Sequence, residues 1–177
     1  MVTGGCGFIG AHLVELLSNK NQKVISIDHR ERAVKTADTI RDVVGDVRDR
    51  TLMREIFSTG EFDCIFDLAA VSTIGLKSSE YGRNVEQTHA MVEYCIKYGV
   101  PKYIYYSTQS VFRKPGCIPS SDIDYVPIDH YGEAKVKSEK LVHSLLPRNK
   151  FLILRPTYVA SFEKRVGATQ NWPAPIH

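Results

Sequence analysis

The sequence has little that would take it away from an ordinary folded domain. No apolar run approaches the roughly 20 residues that a membrane-spanning helix needs, so a helical span is excluded. Cysteines number four, at Cys6, Cys64, Cys95 and Cys117. None are spaced as C-x-x-C, so no dithiol motif is present. Cys64 and Cys95 fall inside apolar patterns, and reduced core thiols are the expectation. Charge is nearly balanced, with a net of +3. The basic excess is spread along the chain rather than clustered. That speaks against a nucleic-acid footprint and suits anionic small molecules. Repeats and low-complexity tracts are absent, and no metal site is expected. The chain opens directly on Met1-Val2-Thr3-Gly4, with no charged n-region. No signal peptide and a cytoplasmic location are therefore expected. What is present is a length that suits one domain with a sizeable core.

Short β-rich runs alternate with helical patterns, which predicts a parallel sheet with crossover helices. Met1-Val2-Thr3 is the end of a first strand. Ile9, Leu13, Leu16 and Leu17 then share one face of a helix. Val24 to Asp28 reads as a second strand and Asp42 to Asp46 as a third, with room for a short helix between them. Leu52, Ile56 and Phe57 mark the next helix. Cys64 to Ala70 is an apolar run around Asp67, as in a strand buried on both faces. Val85, Thr88, Val92, Cys95 and Ile96 predict a long helix that stops near Gly99 and Pro101. Lys102 to Ser107 is a fifth strand, followed by a polar, Pro-rich loop over 114–127. Asp129 caps a helix carrying Tyr131, Ala134, Ser138, Leu141, Val142 and Leu145. Phe151 to Arg155 is a sixth strand.

Thr3-Gly4-Gly5-Cys6-Gly7-Phe8-Ile9-Gly10 sits between a strand end and a helix start. Its glycines satisfy both G-x-x-G-x-x-G (Gly4, Gly7, Gly10) and G-x-G-x-x-G (Gly5, Gly7, Gly10). Gly4 or Gly5 allows the tight turn. Gly7 lets a pyrophosphate approach the backbone, and Gly10 lets the helix pack on the sheet. The helix start offers free N–H groups to an anion. Asp28 follows about 20 residues on, where a carboxylate binds adenosine ribose hydroxyls. A carboxylate there repels a 2′-phosphate, which favours NAD over NADP, although His29 and Arg30 blunt that preference. Gly45-Asp46-Val47 follows the third strand, so Asp46 and Val47 are placed to line an adenine slot.

With these residues the chain resembles the extended short-chain dehydrogenase/reductase family, of the NAD-dependent sugar-nucleotide epimerase/dehydratase type. The matching segments are TGGCGFIG (3–10), Asp28, GDVRD (45–49), DLAA (67–70), NVEQT (84–88), YYSTQSVF (105–112), YGEAK (131–135) and LRPTYV (154–159). The resemblance implies a Rossmann-like, doubly wound α/β fold with a parallel sheet and helices on both faces. It implies an NAD-binding domain over 1–160, with 161–177 a remnant of the connection to a substrate domain that is largely lacking. Gly4, Gly7 and Gly10 would hold the diphosphate, with backbone N–H groups of Phe8 and Ile9. Asp28 would take the ribose and Asp46-Val47 the adenine. Leu68, Ala69 and Ala70 would pass beneath the cofactor, and Asn84 would lie on the helix behind it. Thr108, Tyr131 and Lys135 would be catalytic, the last two also touching NAD.

Tyr131 and Lys135 stand at i, i+4, so their side chains project together from one helix face. A free phenol, with a pKa of about 10, is a poor base near neutrality. A neighbouring ammonium favours its ionised form. Thr108 would hydrogen-bond the substrate hydroxyl while the tyrosine takes its proton. Sugar 4,6-dehydratases of this family carry an Asp-Glu pair right after the threonine. Here those positions are Gln109 and Ser110, which steers the expectation to an epimerase or simple dehydrogenase acting on a nucleotide sugar. The alternative is a non-catalytic NAD-binding module or degraded relative. The resemblance further implies a homodimer through a four-helix bundle, with no nucleic-acid or membrane partner.

Overall fold

A computed structural model describes residues 1–32, 37–73, 75–112, 125–157 and 159. Among these residues six strands form one sheet: β1 (Val2–Thr3), β2 (Val24–Asp28), β3 (Ile40–Val44), β4 (Cys64–Asp67), β5 (Lys102–Tyr106) and β6 (Phe151–Leu154). Every pairing is parallel, in the order β3-β2-β1-β4-β5-β6. Parallel neighbours require crossovers, and helices supply them: α1 (Phe8–Asn19), α2 (Arg50–Ser58), α3 (Ser78–Lys97) and α4 (His130–Leu145). This is the doubly wound Rossmann order. It reverses between β1 and β4, which opens a crevice at the C-terminal strand ends.

Strand alternation sends side chains to two cores. On one face Val14 of α1 packs with Val2, Val24 and Phe66. On the other, Met53 and Ile56 of α2, Met91 and Val92 of α3, and Val142 of α4 cover Ile27, Ile65 and Tyr103. The Asp49 carboxylate caps α2 by accepting from Thr51 and Leu52 N–H. Asp129 caps α4 by accepting from Gly132 N–H at 2.6 Å, as its sequence position predicts. α3 ends where Gly99 takes φ +67°. No described helix is long and apolar enough to cross a membrane.

Several sequence expectations need correction. Leu16 is exposed, because α1 buries the line Gly10, Val14, Ser18 and Leu16 lies roughly 200° around the helix from Val14. Ile96 and Leu145 are also exposed, standing off the faces that bury Cys95 and Val142. β3 runs two residues earlier than expected, and β4 ends at Asp67 because Leu68 and Ala69 turn their N–H groups to the Thr3 hydroxyl. The short helix for which the sequence left room between β2 and β3 is untested: described residues 29–32 and 37–39 are not helical, and 33–36, like most of the 114–127 loop, Cys117 and 161–177, lie outside the described residues.

The start of the chain is buried. The Met1 amine donates to the Cys64 carbonyl at 2.8 Å, and desolvation pushes it from 8.0 down to about 6. Between about pH 6 and 8 the unfolded chain therefore holds more protons than the folded one, and stability rises with pH across that window. Two units correspond to at most about 2.7 kcal/mol. Urea unfolding of the chain with a free Met1 amine should show this rise, and the acetylated chain should lack it. Equal pH slopes for the two would contradict the assignment.

Candidate cofactor and catalytic site

The crevice at the strand ends is a cleft of about 750 Å³. Its wall begins with the glycine loop. Sequence left the turn to Gly4 or Gly5; the structure gives it to Gly4, which takes φ +67° and whose carbonyl accepts from Gly7 N–H at 2.9 Å. A Cβ on Gly10 would stand 2.1 Å from the Gly4 oxygen, so only glycine lets α1 begin there. Gly5 is needed for another reason: its Cβ would lie 2.1 Å from the Ser26 hydroxyl. Among the described residues no side chain caps α1, and its first turn carries no acid. The first N–H groups of a helix have no partner within it, so they remain available to an anion in the cleft.

Asp28, at the end of β2, is buried but lines the cleft. One carboxylate oxygen accepts from Cys6 N–H at 3.0 Å, tying the acid to the glycine loop. The other accepts from the Arg30 backbone at 3.0 Å and from Arg30 Nε at 3.3 Å. Asp46 is gripped by Arg48, whose Nη2 lies 2.7 Å from Oδ2. That hydrogen bond, opposed by some desolvation, holds the Asp46 carboxyl below its ordinary range. Arg48 also reaches Glu86 of α3 at 3.2 Å, and Val47 is buried beside them.

The floor is set by groups that sequence reasoning missed. Thr3 Oγ1 accepts from Leu68 and Ala69 N–H at 3.0 Å each and donates to buried Asp67 at 2.7 Å. Burial pushes the Asp67 carboxyl up, against the opposing hydrogen bonds of Tyr103 and Thr3. Asn84, expected behind the site, pairs with Val71 through both N–H and carbonyl, at 2.7 and 3.0 Å. It thus fixes the segment that leaves Ala70.

Thr108 follows β5 and starts a 3₁₀ turn (Gln109–Val111), its Oγ1 accepting from Ser110 N–H at 3.2 Å. Lys135 is buried, with Nζ 2.7 Å from the Tyr106 carbonyl and 4.6 Å above the Tyr105 ring. The same ammonium lies 5.8 Å from the centre of the Tyr131 ring. Tyr131 is half-buried, tilted against Tyr81 at 5.8 Å. Gly132 brings the helix to the threonine turn: a Cβ there would meet the Ser110 carbonyl at 2.3 Å. Its place between Tyr131 and Lys135 in the motif was the only sequence signal for that role.

Gly4, Gly7, Phe8, Ile9, Gly10, Asp28, Asp46, Val47, Leu68, Ala69, Ala70, Thr108, Tyr131 and Lys135 all line this one cleft. The arrangement combines an uncapped helix start, a carboxylate at the far end of the adjoining strand, and a phenol with an ammonium beside it. It has the parts to hold an anionic dinucleotide and to move a proton next to it.

Comparison with known proteins agrees with this layout. The UDP-glucose 4-epimerase of Halalkalibacterium halodurans is 33% identical over 151 residues, covering 81% of this chain and 45% of that protein. The solved UDP-glucose 4-epimerase of Thermotoga maritima, with UDP-glucose, superposes with a TM-score of 0.72 at 27% identity, over 87% of this chain and 53% of that one. MoeE5 in complex with UDP-glucose and NAD gives 0.71 at 28% identity, over 86% and 51%. The chain thus spans about half the length of these relatives. Residues 1–171 match the model of one family, and the chain belongs to it: the NAD dependent epimerase/dehydratase family.

Proposed function

We propose that residues 1–160 bind NAD in the cleft, and that Thr108, Tyr131 and Lys135 serve an epimerase or dehydrogenase acting on a nucleotide sugar. The observation that carries this reading is the buried Lys135 ammonium, held on Tyr106 and 5.8 Å from the Tyr131 ring centre, with both side chains lining the cofactor-sized cleft. The residues present fit the cofactor. Among the described residues a Cβ on Gly7 would meet only the Gly4 oxygen, at 3.1 Å, so its other side is open to a diphosphate. Phe8 and Ile9 begin the uncapped helix that would face it. Among the described residues Asp28 Oδ2 accepts from Cys6 N–H alone, which leaves a lone pair for a ribose hydroxyl. When bound, NAD supplies the hydride acceptor. Lys135 would favour the Tyr131 phenolate, Thr108 would orient the substrate hydroxyl, and the phenolate would take that hydroxyl's proton and become the neutral phenol.

Asp28 favours NAD over NADP. A 2′-phosphate would meet a buried carboxylate, which already engages the Arg30 guanidinium. Supporting a homodimer, α3 and α4 leave Ile96 and Leu145 exposed, 53% and 41%, where a second copy could cover them.

Calorimetric titration should find NAD bound at least about tenfold more tightly than NADP, a difference of roughly 1.4 kcal/mol. Equal or tighter NADP binding would remove Asp28 from its role. An epimerase assay across nucleotide sugars follows. The second reading is a non-catalytic NAD-binding module. Tight NAD binding without turnover on any nucleotide sugar would decide for it.

A further inference from the structure

Glu139 lies on α4 one turn beyond Lys135, is fully buried, and takes no part in lining the cleft. Its carboxylate gathers three elements. Arg155, just past β6, donates through Nε at 3.0 Å and through Nη2 at 2.7 Å. The Tyr125 hydroxyl donates at 2.7 Å. The Ser107 hydroxyl, immediately before Thr108, donates to the first oxygen. Arg155 Nη2 also reaches the Tyr125 oxygen at 3.3 Å. Its guanidinium lies 5.1 Å from the Phe112 ring and 5.6 Å from the Tyr125 ring, and those two rings stack. Glu139 holds Arg155 firmly protonated, and burial raises the Tyr125 hydroxyl, so neither partner titrates near neutrality.

A buried ion pair is a poor device for stability alone. Its desolvation cost commonly matches its attraction, and apolar groups of the same volume serve as well or better. What this cluster does that apolar groups would not is fix directions. Ser107 is held by its side chain to α4 and by its N–H to Leu154 at 2.7 Å. Gln109 N–H is held to Pro156 at 3.1 Å. Val126 and Ile128 donate back to Val111 and Ser110, at 3.0 and 3.1 Å. Thr108 is therefore bracketed on both sides by bonds to elements that Glu139 joins. The helix that carries Glu139 is the one that carries Tyr131 and Lys135.

We propose that Glu139 is a positioning residue that, through Ser107, sets the Thr108 hydroxyl against the Tyr131–Lys135 pair. This rests on the catalytic reading above for its purpose, but its geometry is testable apart from it. The Ser110 amide, which donates to Thr108 Oγ1, reports directly on that hydroxyl. Two variants are compared with the wild-type chain by amide hydrogen exchange. Ser107→Ala cuts only the link. The double variant Glu139→Gln/Arg155→Met removes the charges together, so that no unpaired ion is left inside. In both, exchange at Ser110 and Gln109 is expected to quicken at least tenfold. Exchange at Tyr103 and Phe66, in the sheet core, should stay within twofold. A merely structural role would speed all four amides together through global opening, or none of them. Either of those results overturns the proposal. In the NAD-loaded protein, kcat on a nucleotide sugar should fall at least tenfold with KM within twofold, and an unchanged kcat overturns it as well. NAD titration of the wild-type chain tests the cofactor reading separately, so failure of one is not mistaken for failure of the other.

Discussion

Gly10→Ala is expected to weaken NAD binding at least 100-fold and to lower stability measurably. The added Cβ would lie 2.1 Å from the Gly4 oxygen, 2.9 Å from its carbonyl carbon and 3.0 Å from Gly5 Cα. These are backbone atoms, so no side-chain rotation relieves the overlap. Nor does Gly4 have room to retreat, because its own missing Cβ already faces Leu68 and Ala69 backbone at 3.0 Å. Either α1 slides away from the sheet or the loop turns outward, and both misaim the N–H groups at the start of the helix. Overpacking of this kind costs about 1–3 kcal/mol. Against a total of about 5–15 kcal/mol that is a large share. A 100-fold affinity loss corresponds to about 2.8 kcal/mol, in the same range. Gly7→Ala supplies the contrast, since its Cβ would meet one atom at 3.1 Å, and it should destabilise less. Calorimetry and urea melts on the two variants check both statements. Wild-type affinity in Gly10→Ala would mean that the diphosphate does not sit on this loop.

Tyr131→Phe is expected to lower turnover on the nucleotide sugar by about 10²–10⁴-fold, the usual worth of a positioned acid–base group. NAD affinity should stay within a few-fold. Phenylalanine keeps the ring, which rests on Tyr81 and lies near Lys135 Nζ, and removes only the oxygen that would carry the proton. Lys135 keeps its bond to Tyr106, so the helix has no cause to shift. Steady-state rates and NAD titration on the same preparation separate the two effects. A large affinity loss with turnover intact would show that Tyr131 holds the cofactor rather than the proton.

The local sequence patterns carried most of the architecture. β2 was legible residue for residue, and α4 with its Asp129 cap was legible because capping and the i, i+4 spacing are encoded within a single turn. The parallel sheet followed from alternating short apolar runs and helical stripes. The candidate site residues were legible because the doubly wound fold places the loops after β1, β2, β3, β4 and β5 at one edge of the sheet. Motifs lying just after strands therefore meet there. Helix faces were read less well. Leu16, Ile96 and Leu145 look apolar in the pattern, yet each points to solvent, since hydrophobicity along a helix does not say which flank the sheet will cover.

The sequence by itself determined the kind of fold, the position of the glycine loop, and the joint projection of Tyr131 and Lys135 from one helix. Tertiary structure alone decided that Gly4 rather than Gly5 makes the turn: Gly4 takes the positive φ, and a Cβ on it would come within 3.0 Å of the Leu68–Ala69 backbone. It also decided that Thr3 pins Leu68 and Ala69, that Gly132 admits the Ser110 carbonyl, and that Glu139 meets Arg155. Thr3 and Asp67 are 64 residues apart in the chain. Spacing rules reach about one turn of helix or one strand pleat. Contacts across such distances exist only once the strands are ordered and the helices have packed, so no local pattern announces them.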